Sequence, residues 1–239
     1  MKSIPNRIGS LLSSHTAASA TIQTLVVRIF IIAINMGTGI ITARFLGAEG
    51  RGEQAAMLIW PQFLAFALTL GLPKSLLYNL KKHPEEKSEL FAAALLMASG
   101  LGMMASLIGI IFMPQWLSQY SPSVIRYAQW FMVTAPLALL GVTFTAAFES
   151  EEEFTIANQT RYLMPLTTLA ALGVLILIRA VTPFNVALAY VVPGLPIFIW
   201  MLTRLWNRFR PRWHRLGESF KYLTSYGLRS YGIDLLGAL

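Results

Sequence analysis

The segment Thr21–Tyr78 constrains this chain most, because it reads as two apolar stretches, each long enough to cross a bilayer as a helix, and the first carries a polar stripe. At about 100° per residue, Thr24, Arg28, Asn35, Thr38 and Thr42 fall within an arc of roughly 80°. Ile22, Val26, Ile29 and Ile40 gather on the opposite side, and among the large aliphatics only Ile31 interrupts the stripe. A central Arg in hydrocarbon costs about 2.5–3.5 kcal/mol on the insertion scale. The stripe is therefore expected to line water, a substrate or a partner helix, and we read it as a cavity wall.

Composition extends this to the whole chain. Hydrophobic residues make up 55% and charged residues 13%, against roughly 25% charged in soluble domains. The 239 residues allow six or seven spans of about 20 residues but no large soluble domain besides. The expected fold is all-α, a polytopic transmembrane helical bundle of six spans and the start of a seventh. The spans are placed near Thr21–Phe45, Gln54–Tyr78, Glu89–Met113, Val124–Phe148, Leu163–Arg179 and Phe184–Trp206. Residues 1–20 read as an interfacial or disordered lead-in, 21–206 as the six-helix bundle, 207–221 as a basic, aromatic connector, and 222–239 as a seventh helix that stops with the chain.

Several chemistries are excluded. There is no cysteine, and His15, His83 and His214 lie far apart, so no thiol nucleophile, metal site or cofactor is expected. Walker, G-x-S-x-G and H-E-x-x-H patterns are all missing, and the chain is read as no enzyme. The acidic run Glu149, Glu151, Glu152 and Glu153 is read as a solvated helix end or loop.

Loop charge sets an orientation. With the N-terminus inside, inner segments hold Lys2, Arg7, Lys81, Lys82, Lys87, Arg161 and the cations from Arg204 to Lys221, whereas outer ones hold Arg44, Arg51, Arg126 and Arg179. Much of the net charge of +8 comes from Arg204–Lys221, where Trp206, Phe209 and Trp213 alternate with arginines. Directly after a span, such a stretch lies against anionic headgroups rather than nucleic acid. Pro61, Pro73, Pro136, Pro193 and Pro196 favour kinks, and Ser99, Gly102, Ser106 and Gly109 form a small-residue row for close helix packing.

The block TARFLGAEGRGEQAAMLIWPQFLAFALTLGLPKSLLYNL, from Thr42 to Leu80, resembles the first-to-second helix region of bacterial polysaccharide-transport flippases. Those proteins carry an R-x-L-G-x-x-x-[RY]-G turn and a D/T-x-G-L-P-x-[SA] segment, matched here by Arg44 to Gly52 and by Thr69 to Ser75. Tyr226–Leu239 is similar to the start of the family's seventh helix. The resemblance implies the multidrug/oligosaccharidyl-lipid/polysaccharide exporter superfamily, whose members set two helical lobes around a central cavity. It further implies a bacterial inner-membrane flippase for undecaprenyl-diphosphate-linked oligosaccharide, serving O-antigen, capsule or exopolysaccharide synthesis. The chain covers the N-terminal lobe, so a C-terminal lobe or a second copy is the expected partner, with membrane lipids around it. Alternatives are a multidrug exporter of the same superfamily, which would want a buried carboxylate for a coupling cation, or a membrane-embedded enzyme of polysaccharide assembly.

The candidate cavity-lining residues are Arg28, Asn35, Thr38, Thr42, Gln62, Lys74 and Asp234. Arg28 lies about 10 Å into the first span, where its side chain can either snorkel to headgroups or meet substrate. The polar company of Asn35 and Thr42 favours substrate. Lys74 is the second basic candidate, beside Gly71 and Pro73; Gln62 extends the wall, and Asp234 can neutralise an Arg or hold a cation.

Overall fold

Apolar periodicity without strand alternation produces helices throughout the described residues. The computed structural model describes the backbone of residues 17–214 and 216–237, and the side chains of residues 28–214 and 216–232. The lead-in expected over Met1–Ala20 lies outside the described residues as far as residue 16. The helices are α1 (Ala17–Ala67), α2 (Leu72–Lys82), α3 (Lys87–Trp116), α4 (Pro122–Phe131), α5 (Thr134–Ser150), α6 (Phe154–Leu177), α7 (Pro183–Val191), α8 (Gly194–Phe209) and α9 (Leu216–Gly237).

Five stretches among the described residues are long and apolar enough to cross a membrane: Arg28–Ala67, Pro84–Trp116, Pro122–Ser150, Phe154–Leu177 and Pro183–Phe209. The first, 40 residues long, joins the segments expected as separate first and second spans, but Gly47 breaks it with φ 68° and ψ −175°. The stretch expected as the second span is itself interrupted, since Leu70 and Gly71 take left-handed φ values of 47° and 71° before α2 begins. The fifth expected helix starts earlier than placed, at Phe154, and the Asn158 and Thr160 that obscured it are buried. Large apolar side chains face outward along these stretches: Ile29, Ile32, Met36 and Ile40 on α1, Met103, Leu107 and Ile111 on α3, Leu195 and Ile199 on α8. Outward faces of this kind are solvated by lipid. The chain is a membrane protein with helices and no strand among its described residues.

The chain reversals gather at two ends. At one, Ser88 donates to the carbonyl of Phe209 at 2.7 Å, Lys87 pairs with Glu151, and His83 stacks on Tyr222. At the other, Gly50 abuts Pro183 and Gly52 abuts Tyr120. The core between them is built by α3, α5 and the second segment of α1, around the buried Phe91, Phe144, Phe148, Met57 and Leu139.

The small-residue row on α3 does what its spacing predicts. A Cβ at Gly102 would sit 2.4 Å from the Cα of Pro136, and one at Gly109 would sit 2.4 Å from Met132 Cε. Proline then sets local chemistry, because each one inside a helix frees the carbonyl four residues earlier. The Met132 carbonyl, just before α5 and four residues before Pro136, accepts from the Ala135 N–H at 3.0 Å and from Ser106 Oγ at 2.6 Å. Pro114 frees Ile110, whose carbonyl accepts from Gln129 Nε2 at 2.8 Å. Gly102→Ala should destabilise the bundle by about 1–3 kcal/mol through overpacking. Gly100→Ala, with nothing within 4 Å of the added carbon, should leave thermal unfolding in detergent unchanged.

Candidate functional site

The break at Leu70–Gly71 creates the most distinctive surface of the molecule. Two consecutive left-handed residues follow the end of α1, where the Phe66 carbonyl accepts from Thr69 and the Ala67 carbonyl is left for another helix. Helix α9 closes that gap. A Cβ at Gly71 would lie 2.2 Å from the carbonyl oxygen of Gly227, and one at Gly227 would lie 2.7 Å from that of Leu70, so both positions admit only glycine. Tyr231 Oη donates to the carbonyl of Ala67 at 2.5 Å, and Ser75 Oγ, fully buried, donates to that of Leu223 at 2.7 Å. Asn79, also buried, donates to the Ser75 carbonyl at 2.9 Å. The seam between α2 and α9 is thus polar and fully bonded, which fixes the outward faces of both helices.

Those outward faces differ from the rest of the exterior. Tyr78 and Tyr226 stack with ring centroids 4.2 Å apart and 7° between planes, and both rings are partly exposed. Lys82 Nζ stands 5.5 Å from the centroid of Tyr78. Lys74, Lys82, Lys221, Thr224, Ser225 and Arg229 are exposed on the same two helices, and Lys81, also exposed, pairs with Glu152 at 3.7 Å. Neither α2 nor α9 falls in a stretch apolar enough to cross a membrane. Cations attract phosphate or carboxylate groups, and an aromatic face accepts the flat, apolar face of a sugar ring. Together they form a wall suited to an anionic, glycosylated ligand.

The structure divides the residues singled out from the sequence. Lys74 belongs to this wall. Asn35 and Thr38 lie elsewhere, in a crevice of about 160 Å³ lined also by Met164, Pro165, Thr168 and Tyr190. Thr38 and Thr42 are buried and donate to carbonyls of their own helix, Ile34 at 2.8 Å and Thr38 at 2.9 Å. Thr168 does likewise to Met164 at 3.0 Å. The crevice lining is neutral, with Asn35 and Tyr190 supplying its remaining polar groups. Arg28 and Gln62 are exposed on α1 and do not line that crevice. Asp234 lies on α9, with its side chain outside the described residues. Tyr78, Lys82, Tyr226 and Arg229 were missed, although the spacing Lys74, Tyr78, Lys82 already places two of them on one helical face with the predicted Lys74.

The acidic run needs correction. Glu152 is solvated as expected, at 76% side-chain exposure, but Glu151 is only 9% exposed. Its carboxylate joins Lys87 of α3 to Arg208 of α8, the latter at 2.9 Å. Glu149 pairs with Arg161 of α6, and Glu153 with Arg204 of α8 at 3.5 Å. The run is an ionic clasp across one end of the bundle. Opposite charges one to three helices apart in sequence were the signal, and only the folded arrangement matches them.

Burial by itself would raise the pKa of Glu151, but hydrogen bonds from Lys87 and Arg208, together with their charges, outweigh it and hold the carboxyl below its ordinary value. The folded state then binds this proton more weakly than the unfolded one. The clasp contributes fully above the ordinary carboxylate range, and its contribution is lost as pH falls through the lowered folded value. Glu151→Gln should cost about 1–2 kcal/mol at neutral pH, between the values for exposed and buried pairs. Glu152→Gln should cost little, and thermal unfolding in detergent at pH 7 and below the carboxylate range measures both, the difference shrinking at the lower pH.

Among known proteins, no family matches this chain, and neither does any curated protein or solved structure.

Proposed function

We propose that the chain is one helical lobe of a bacterial inner-membrane exporter that moves an undecaprenyl-diphosphate-linked oligosaccharide from the cytoplasmic to the outer leaflet for surface polysaccharide synthesis. The observation that carries this reading is the basic, tyrosine-faced wall of α2 and α9 in a bundle whose other long helices turn apolar side chains outward. Charged residues facing lipid are costly, so the wall faces water or substrate. Its lysines and Arg229 neutralise the diphosphate, the stacked tyrosines take sugar rings, and the prenyl tail stays in lipid beside the apolar faces. No covalent bond changes, and the protein acts as a transporter rather than an enzyme.

Alternating access requires a second bundle to rock against this one. The opposing wall comes from a further lobe or from a second copy of the chain. Six passes with the N-terminus inside fit the break at Gly47, the two clusters of chain reversals, and the concentration of cations at the end that holds Lys81, Lys87, Arg204 and Arg208. The crevice between α1, α6 and α7 has no carboxylate in its lining, which favours a lipid-linked glycan over a cation-coupled drug as cargo.

In the assembled exporter, Tyr226→Leu and Arg229→Ala should each lower export of surface polysaccharide by about 10-fold or more, the loss of one contact to a charged or stacked group, at normal membrane abundance. Met103→Leu on a lipid-facing side should export normally. Wild-type export by both wall variants would overturn the proposal.

A further inference from the structure

The turn between α8 and α9 is short, basic and held in place. Phe209 is buried with its ring stacked 4.8 Å from Phe91, its carbonyl accepts from Ser88 Oγ at 2.7 Å, and the Arg212 N–H donates to the Ser88 carbonyl at 3.3 Å. Arg210 takes a left-handed φ of 45° and donates its N–H to the Trp206 carbonyl at 2.9 Å. The Arg210–Pro211–Arg212 segment is therefore anchored on both sides to Ser88 of α3. Arg204 and Arg208 are engaged by Glu153 and Glu151. Arg210 and Arg212 remain exposed and outside the described ion pairs.

Two indoles flank them. Trp206 and Trp213 are each about half exposed, with ring centroids 6.4 Å apart. Trp206 lies near the end of the apolar stretch Pro183–Phe209, the level at which indoles settle between acyl chains and headgroups. A guanidinium pair at that level has phosphodiester oxygens within reach, and each cation near an anionic membrane surface adds attraction. We propose that Arg210 and Arg212, with Trp206 and Trp213, form a binding site for the headgroup of an anionic phospholipid at the end of α8. The site depends on neither the direction of transport nor its cargo.

Native mass spectrometry of the intact chain, purified from bilayers containing equal amounts of phosphatidylglycerol and phosphatidylcholine, tests it. The wild type should retain phosphatidylglycerol preferentially, and Arg210→Gln with Arg212→Gln should lower that preference about 30-fold, in line with two cations at the surface. Arg126→Gln, an exposed cation on α4, should leave it unchanged, and equal thermal unfolding would show that the double variant is folded. Equal retention by the double variant and the wild type would overturn the proposal. So would release of the lipid by free inorganic phosphate at matched phosphate concentration, which would assign the pair to a soluble anion.

Discussion

Every polar backbone group in a bilayer core needs a partner from the protein itself, since hydrocarbon supplies none and each orphan costs several kcal/mol. This chain places prolines inside its apolar stretches and would violate that condition if its helices stood alone. At three places side chains reaching across helix interfaces supply the partner. Ser106 of α3 adds a second donor to the Met132 carbonyl before α5, Gln129 of α4 serves the carbonyl freed by Pro114 in α3, and Tyr231 of α9 serves Ala67 at the end of α1. The same interfaces explain the glycines, because Ser106 reaches Met132 only when Gly102 and Gly109 let α3 approach so closely.

The same constraint divides the exterior into dry and wet faces. Helices whose backbones are satisfied internally can turn Met103, Leu107, Ile111 and Ile199 to lipid at no polar cost. The pair α2–α9 cannot be such a surface, because lysines, Arg229 and hydroxyl-bearing residues surround its tyrosine stack. Leu70 and Gly71 produce this exception. Their left-handed conformations end α1, and the buried Ser75 and Asn79 then bind the backbone of α9 rather than lie beside another apolar helix. A local break thus determines where the polar, tyrosine-bearing face stands.

Much of this was legible in the sequence. The apolar stretches, the small-residue row of α3 and the kinking prolines follow from periodicity and side-chain size, which act locally. The pairing of α2 with α9 did not, because Ser75 and Leu223 are 148 residues apart and no pattern along the chain encodes which helices meet. Asn158 and Thr160 hid the start of α6 because polarity suggests exposure, whereas Thr160 is buried and bonds the Ala157 carbonyl of its own helix at 2.9 Å. Of the polar stripe on the first helix, Thr38 and Thr42 are buried in contact with their own backbone, and Asn35 opens to a neutral crevice. The sequence showed that one face was polar; the packing decided which part of it was accessible.

The central claim is that the outward face of α2 and α9 meets water while the faces of α3 and α8 meet lipid. The chain has no cysteine of its own, so single introduced thiols report their surroundings without background. In open membrane fragments, where a charged, membrane-impermeant maleimide meets both sides, Tyr226→Cys and Arg229→Cys should be labelled readily, and Leu107→Cys and Ile199→Cys should stay protected. Protection of Tyr226→Cys and Arg229→Cys to the same degree as Leu107→Cys and Ile199→Cys would contradict the account, because the wall would then be a lipid-facing surface.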